Sequence, residues 1–186
     1  MLSIGDYSVR RIQEEDLKLL LEWRNSERVR RVMLQQHVIL WEEHIAWYQR
    51  VKDIQPPCNL IFQYKGRDIG YMGYNGFDAE RHTCVPGSYL GDNKGLPLET
   101  GLALFLVCNR YAFDVLKVDC LISPILVKNE ASIKMNYRLG FQKMKENEIP
   151  SYVQDISEPV VTLYLTRDMW EKNCCPHEAK VSVHHV

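Results

Sequence analysis

Residues 120–141, CLISPILVKNEASIKMNYRLGF, decide the fold because a strand leads into a helix there. The strand is apolar and rich in β-branched residues, but it contains Pro124, which cannot donate to a ladder. The proline predicts an edge, a bulge or a place where neighbouring strands part. Asn129 is expected to cap the start of the helix, and Gly140 is expected to end it.

Polar side chains share one face of this helix. A period of 3.6 residues per turn puts Asn129, Ser132 and Asn136 along one stripe. Tyr137, the strong proton donor nearby, lies about 100° around the axis from Asn136. The stripe predicts a polar contact surface from which the tyrosine is displaced.

A glycine-rich loop precedes a second helix in the stretch GDNKGLPLETG (91–101), which runs into LALFLVCNRYAF (102–113). Uncovered backbone N–H groups at a helix start form a cradle for phosphate. Taken alone, Gly91, Gly95 and Gly101 are better explained by the turn itself. Together with the strand at Pro124, the loop predicts a V-shaped gap between diverging strands, whose free backbone groups hold an extended ligand.

The remaining patterns predict one domain over residues 1–170 and a disordered tail over 171–186. The element order is one strand, two helices, three strands, a helix, a strand, a helix and two strands. Lys65 and Gly66 mark the turn of a hairpin between two of the strands. Neither an internal repeat nor a linker interrupts this order.

Composition limits the function classes. The 186 residues are 46% hydrophobic and 25% charged, with a formal net charge of −1. This balance gives no general attraction to nucleic acid or to an anionic membrane, so neither is expected as a partner. No leader or spanning segment is recognised, and a cytoplasmic location is expected. The ending NCCPHEAKVSVHHV carries potential ligands for a soft metal, but a frayed tail is favoured and no metal is expected.

The pairing of ETGLALFLVCNRYAF with NEASIKMNYRLGF resembles the GNAT superfamily of N-acetyltransferases over nearly all of residues 7–166. The resemblance implies an α/β (α+β) fold, with a mostly antiparallel twisted sheet of about seven strands, splayed central strands and four helices. It also implies acetyl-CoA as the acetyl donor. The expected donor-binding residues are Tyr89, Leu90, Gly91, Gly95, Thr100, Gly101, Leu102, Ala103, Asn129 and Ser132. Leu98 departs from the family's polar or basic residue at that place.

The resemblance also implies catalytic roles. In the family, the Asn at the start of the second helix bonds the pantetheine arm, and the residue seven further on, usually Tyr, protonates the departing thiolate. Asn129 fits the first place, and Asn136 occupies the second with an amide that has no proton to give. Tyr137 stays open as a replacement acid. Backbone N–H groups of residues 89–91 are expected to polarise the acetyl carbonyl, and the base stays open among His82, Glu99 and water.

The stretches LLLEWRNSERVR, HVILWEEHIAWYQR and NEASIKM are similar to the GNAT subgroup that acetylates UDP-linked 4-amino sugars on the route to pseudaminic acid for flagellin. This implies a UDP-amino-sugar acceptor bound by Arg24, Asn25, Met33, His44 and Trp47. Arg24 would meet phosphate, and Met33, His44 and Trp47 would pack around the uracil or ribose. Core packing of the aromatic residues is the competing interpretation.

Two other functions share the donor-binding features. One is acetylation of a protein N-terminus or a small amine, which differs only in the first two helices. The other is a degenerate domain that binds acyl-CoA or a partner without catalysis, prompted by Leu98 and Asn136. Whether the chain forms a homodimer stays open.

Overall fold

A computed structural model describes residues 3–78, 82–154 and 156–173. These residues form one sheet with helices on both faces. The strands are β1 (Ser3–Ile4), β2 (Tyr7–Arg11), β3 (Asn59–Tyr64), β4 (Arg67–Asp78), β5 (Thr83–Leu90), β6 (Cys120–Leu126), β7 (Gln142–Lys143) and β8 (Val160–Thr166). The helices are α1 (Leu17–Asn25), α2 (Glu27–Arg30), α3 (Trp41–Val51), α4 (Thr100–Asp114), α5 (Glu130–Arg138), α6 (Ser151–Gln154) and α7 (Arg167–Asn173).

The sheet order is β1-β2-β3-β4-β5-β6-β8-β7. Neighbouring strands are antiparallel except for β5 and β6, which run parallel because α4 connects them as a crossover. The β3–β4 hairpin turns at Lys65 and Gly66, which have φ values of 49° and 76°. Positive φ at both central residues matches the strand twist in a two-residue hairpin, so the predicted turn is found.

The two faces of the sheet have separate cores. On the first face, the apolar helix α4 covers residues such as Met72, Leu121 and Leu163, and α5 packs beside it through Leu139. On the second face, α1 and α3 cover Ile61 and the partly buried Tyr71 and Tyr89. Alternation along β4 therefore sends neighbouring side chains to different cores.

The central strands β5 and β6 part soon after they meet. Their ladder consists of two pairs, Thr83 with Cys120 and Cys84 with Leu121. Residues 85–90 of β5 keep their antiparallel partners on β4, and residues 122–126 of β6 keep theirs on β8. The predicted splay is confirmed. It leaves a V-shaped gap that is closed at Cys84 and open beyond Leu90 and Leu126.

Three details of the fold differ from the sequence prediction. The two-residue β1 adds a strand, and the short helices α2, α6 and α7 add to the four predicted. Segments of this length are too short for a helical or strand period to be recognised. Residues 171–173, expected in the tail, continue α7, and the later part of the tail lies outside the described residues. Within those residues, no helix is both long and apolar enough to span a bilayer.

Candidate active site

The start of α4 offers free backbone donors at the open end of the V. The Thr100 N–H bonds Pro97 O at 3.1 Å, and the Ala103 N–H bonds Glu99 O at 2.9 Å. Between them, the N–H groups of Gly101 and Leu102 have no partner in the part of the chain that the structure describes. A Cβ placed on Gly101 would meet nothing within 4 Å. This open backbone at a helix N-terminus fits a diphosphate.

The side chains around this loop mainly stabilise the loop itself and are not oriented toward a bound ligand. Thr100 is buried, and its Oγ1 donates to Pro97 O at 2.7 Å. The Tyr7 hydroxyl lies 2.9 Å from Thr100 Oγ1. Leu98, in contrast, is fully exposed. Backbone N–H groups are therefore the donors that the loop provides for an anion.

Asn136, in the polar stripe of α5, and the adjacent Tyr137 differ in their exposure to solvent. Asn129 caps the helix because its Oδ1 accepts from the Ser132 N–H at 3.3 Å. Asn136 is 3% exposed, and its Nδ2 donates to Ser132 O at 2.8 Å. Tyr137 is 47% exposed. The structure thus brings Asn129, Ser132 and Asn136 together, while Tyr137 lies on the solvent side of the helix.

Gly91, at the end of β5, has a packing role. Its N–H donates to Ile69 O at 2.9 Å, so this group is not available to polarise a carbonyl, and the expectation is corrected for Gly91. Its carbonyl accepts from Arg28 Nη2 at 2.7 Å. A Cβ here would lie 1.9 Å from the buried Trp23 ring, so the glycine allows α1 to approach the sheet. Tyr89 and Leu90 remain along the gap.

Four rings form an aromatic wall from α3 to β5, which we define as His44, Trp47, Tyr71 and Tyr89. The centroid distances are 5.1 Å for His44 and Trp47, 6.3 Å for Trp47 and Tyr71, and 5.3 Å for Tyr71 and Tyr89. The first and last pairs are stacked, and the middle pair is edge-on. The wall ends at the β5 bank of the V.

Arg24 lies beside the wall with unused hydrogen-bonding capacity. Its Nη2 donates to Gln35 O at 2.6 Å, but its buried Nη1 has no partner within the described residues. Burial lowers the pKa of this guanidinium, Tyr89 raises it, and the nearby Arg30 lowers it. An arginine keeps its charge at neutral pH even so. Among the described residues no carboxylate lies in ion-pair contact with Arg24, so the group is suited to an anionic ligand.

Two of the predicted substrate-binding residues, Asn25 and His44, are engaged in hydrogen bonds to backbone groups of the protein. Asn25 holds the loop of residues 31–40, since its Nδ2 donates to Ile39 O at 2.9 Å and its Oδ1 accepts from Ile39 N–H at 2.8 Å. His44 is 5% exposed, and its Nε2 lies 3.0 Å from Leu17 O. Burial lowers the pKa of His44, which leaves the ring neutral at pH 7. Met33 is half-buried on the loop that Asn25 holds.

The two candidate general bases, His82 and Glu99, lie at opposite ends of the V. His82 precedes the first β5–β6 pair, at the closed end. It is eight residues from Leu90, which is about 26 Å along an extended strand at roughly 3.3 Å per residue. Glu99 is the N-cap residue of α4 and makes no side-chain cap bond. Of the open alternatives, His82 is therefore remote from the open end of the gap.

Sequence reasoning missed two residues of this region, Tyr71 and Arg28. Tyr71 joins the wall because β4 and β5 pair in the register that sets Tyr71 opposite Tyr89. Alternation within YMGY signals a strand, but this register could not be deduced from it. Arg28 was within the quoted stretch that carries Arg24, but its contact with the Gly91 carbonyl depends on tertiary packing.

Comparison with known proteins identifies the family. Residues 8–142 match the acetyltransferase (GNAT) domain family. The chain belongs to the GNAT family. Among GNAT proteins it is similar to acetyltransferase PseH of Campylobacter jejuni, with 26% identity over 144 residues, 76% of this chain and 87% of that protein. The crystal structure of Campylobacter jejuni N-acetyltransferase PseH has a TM-score of 0.61 at 15% identity, covering 88% of this chain and 99% of that one.

Other solved structures share the architecture. Spermidine N-acetyltransferase from Vibrio cholerae, in complex with CoA and spermine, has a TM-score of 0.72 at 12% identity, covering 89% of this chain and 98% of that one. An uncharacterized protein from Bacillus halodurans has a TM-score of 0.75 at 15% identity, covering 97% and 96%. At these identities the likeness shows the fold. With the family match, it makes the chain an acetyl-CoA-dependent N-acetyltransferase.

Proposed function

We propose that this GNAT enzyme transfers acetyl from acetyl-CoA to the 4-amino group of a UDP-linked deoxy-amino sugar. The similarity to PseH and the resemblance of the α1–α3 region to the sugar-acetylating subgroup support this acceptor. The observation that carries the proposal is the Arg24 guanidinium, half-buried next to an aromatic wall with Nη1 unpartnered.

The charge around Arg24 favours an acceptor that carries phosphate. A buried guanidinium gains most from a bidentate anion, and a diphosphate is such a group. Arg30 adds a second positive charge nearby. Spermine, which is bound in the Vibrio cholerae enzyme, is a polycation and would be repelled here. The local electrostatics therefore support a nucleotide-linked acceptor over a polyamine.

The aromatic wall supports the nucleoside part of the proposal. Trp47 is half-buried between His44 and Tyr71, and its ring offers a flat surface next to the phosphate-binding arginine. A base that stacks on an aromatic side chain gains about 1–3 kcal/mol. We propose that uracil lies against Trp47 and Met33, with His44 fixing the orientation of the indole.

In the proposed mechanism, acetyl-CoA is bound mainly by backbone groups. The free N–H groups of Gly101 and Leu102 would hold the diphosphate of acetyl-CoA. The pantetheine arm would lie in the V, where β5 and β6 have unshared backbone groups, and Asn129 Nδ2 is left to donate to it. The N–H group of Leu90 is the proposed donor to the acetyl carbonyl, because the N–H of Tyr89 points to β4, as that of Gly91 does.

In the chemical step, the neutral amine attacks the thioester carbonyl. The new C–N bond forms and the C–S bond breaks, the amine loses one proton to water, and the coenzyme leaves as a thiolate. A thiol with a pKa of about 8.5 is a stable enough leaving group to depart unprotonated. Asn136 supplies no proton in this step, because its buried amide donates to Ser132 O.

The proposal is tested by thiol release with three acceptors: a UDP-4-amino deoxy-sugar, spermidine and a peptide with a free N-terminus. We expect kcat/KM for the UDP-sugar to exceed the other two by roughly 10²-fold, because only this acceptor engages Arg24. Preference for the peptide or for spermidine would replace the proposed acceptor. Binding of acetyl-CoA without thiol release from any acceptor would instead indicate a binding domain.

Arg24→Gln tests the carrying observation directly. We expect KM for the UDP-sugar to rise about 10- to 100-fold, which is the loss of one charged hydrogen-bonding group. KM for acetyl-CoA should change less than about twofold, since the donor binds elsewhere. Arg50→Gln, at an exposed position of α3, is the matched control. An equal rise of both KM values in the Arg24 variant would contradict the assignment.

A further inference from the structure

A cavity of about 360 Å³ that is widely open to solvent lies over β8, in a region that the proposed mechanism does not use. Its volume is within the range of roughly 300–1,000 Å³ found for small-molecule sites. Four aliphatic side chains and a proline form most of the lining, and three polar residues complete it: Ile149, Val153, Ile156, Val160 and Pro159, with Ser157, Glu158 and Thr162. The cavity is therefore chemically unlike the arginine and aromatic site beside α1.

The cavity shares a sheet face with the aromatic wall. Val161 and Leu163 point into the core under α4, so Val160 and Thr162 point to the opposite face. That opposite face is the one on which Tyr71 and Tyr89 meet α1 and α3. The cavity and the wall thus lie on the two banks of the same V.

Thr162 carries a buried hydroxyl group. It is 3% exposed, and its Oγ1 has no hydrogen-bond partner in the ranges that the structure describes. It pairs with Pro124 on β6, the strand that forms this bank of the V. A buried hydroxyl without a partner lowers stability, so a ligand oxygen at this place would be favourable.

The rim of the cavity is linked through Lys128 to the loop of residues 31–40, on the side where the acceptor is proposed to bind. Lys128 Nζ lies 3.7 Å from Glu158 Oε2 on the rim and donates to Gln36 Oε1 at 3.2 Å on the loop of residues 31–40. Lys128 therefore joins the two banks and offsets the charge of Glu158. An aliphatic lining and a paired rim carboxylate favour an uncharged, partly apolar group over a cationic chain.

We propose that this cavity binds the deoxy end of the sugar, with the methyl group among Ile149, Val153, Ile156 and Val160 and a sugar oxygen bonded to Thr162 Oγ1. The proposal rests on the proposed function and extends it. The nucleotide lies on the β5 bank, the sugar reaches over the V, and its amine is placed at the thioester between the banks. The cavity then selects a methyl group against a hydroxymethyl group.

The first test compares a UDP-4-amino sugar ending in methyl with its hydroxymethyl analogue. We expect the wild type to favour the methyl sugar about 10- to 100-fold in kcat/KM, the range for a hydroxyl forced into an apolar pocket. Ile156→Ser should bring this ratio close to one, because the new hydroxyl accommodates the polar analogue. Ile54→Ser, at a position 40% exposed, is the matched control and should keep the ratio.

The second test is Thr162→Val, which keeps the shape and removes the hydroxyl. We expect KM for the methyl sugar to rise about tenfold, while Tm stays the same or increases because an unpartnered hydroxyl has been removed. An unchanged KM with an increased Tm would show a merely structural position and overturn the role of Thr162.

The outcomes separate the two proposals. If both sugars are acetylated with equal kcat/KM, the cavity proposal is overturned and the proposed function stands. If neither sugar is acetylated, both are overturned. If the wild-type preference is present and Ile156→Ser removes it, the cavity proposal is supported, and a thermal melt of each variant shows that the fold is retained.

Discussion

Asn136 and Tyr137 are neighbours in the chain with opposite surroundings. Asn136 is 3% exposed and bonded to Ser132 O, while Tyr137 is 47% exposed. The helical period was enough to predict that the tyrosine leaves the polar stripe. The hydrogen bonds that occupy Asn25, His44 and Gly91 could not be predicted, because they depend on carbonyl groups that tertiary packing brings near.

Tyr137→Phe tests this difference in burial. We expect kcat to stay within about twofold of the wild type, because a hydroxyl on the solvent side of α5 is not placed to protonate a leaving group. The measurement is thiol release under saturating donor and acceptor between pH 7 and pH 10. A loss of about 10² or more would instead make Tyr137 the general acid.

At the scale of secondary-structure elements, α1 packs closely against the end of β5. Trp23 of α1 packs against Gly91, and any side chain at this position would overlap the indole. The sequence indicated the glycine-rich loop and gave each glycine a role in phosphate binding or turning. The structure separates these roles, since the Gly101 backbone faces open space and Gly91 allows the close approach of a helix.

Gly91→Ala should therefore displace α1. We expect a loss of about 1–3 kcal/mol in the free energy of unfolding, the usual cost of overpacking, seen as a drop in Tm of about 2–4 °C per kcal/mol for a chain of this size. The control is Gly87→Ala on the same strand, where a Cβ meets nothing within 4 Å. Equal effects of the two substitutions would show that backbone conformation, and not contact with Trp23, is responsible.

At the scale of the whole molecule, Arg10 links the N-terminal strand to the rest of the fold. Its guanidinium bonds both Asp16, at 2.6 Å, and Asp68, at 2.5 Å, and so joins β2, the start of α1 and β4. Burial raises the pKa of Asp16, but the bonds from Arg10 and from the Gln13 N–H outweigh it and leave the pKa below its ordinary value. The charged form of Asp16 thus stabilises the native state.

Asp16→Asn should lower stability at neutral pH by about 1–3 kcal/mol. Because the folded pKa is depressed, the stabilisation by Asp16 is present above the unfolded pKa of about 3.9 and is lost as the pH falls through the folded pKa. Urea unfolding between pH 7 and pH 2 should show the wild type and the variant converging below about pH 4. Asp53→Asn, whose side chain is 86% exposed, is the control, and a constant difference for Asp16→Asn would contradict the linkage.

Much of the architecture was predictable from local chemistry. Pro124, the loop at 91–101 and the cap at Asn129 were enough to predict the V, since each limits what the backbone can bond. The cavity over β8 was not predicted, because residues 144–159 carry neither a helical nor a strand period long enough to read. Its lining comes together only when that segment folds back onto β8.

The two-pair ladder between β5 and β6 has a mechanical consequence. The sheet consists of two parts joined at one corner, and in the proposed mechanism the bound thioester takes the position of an absent strand between them. The stability of the native state then depends on how much donor is present, because binding at a hundredfold excess over Kd adds about 2.7 kcal/mol. The native state is therefore more stable when acetyl-CoA is abundant and less stable when it is scarce.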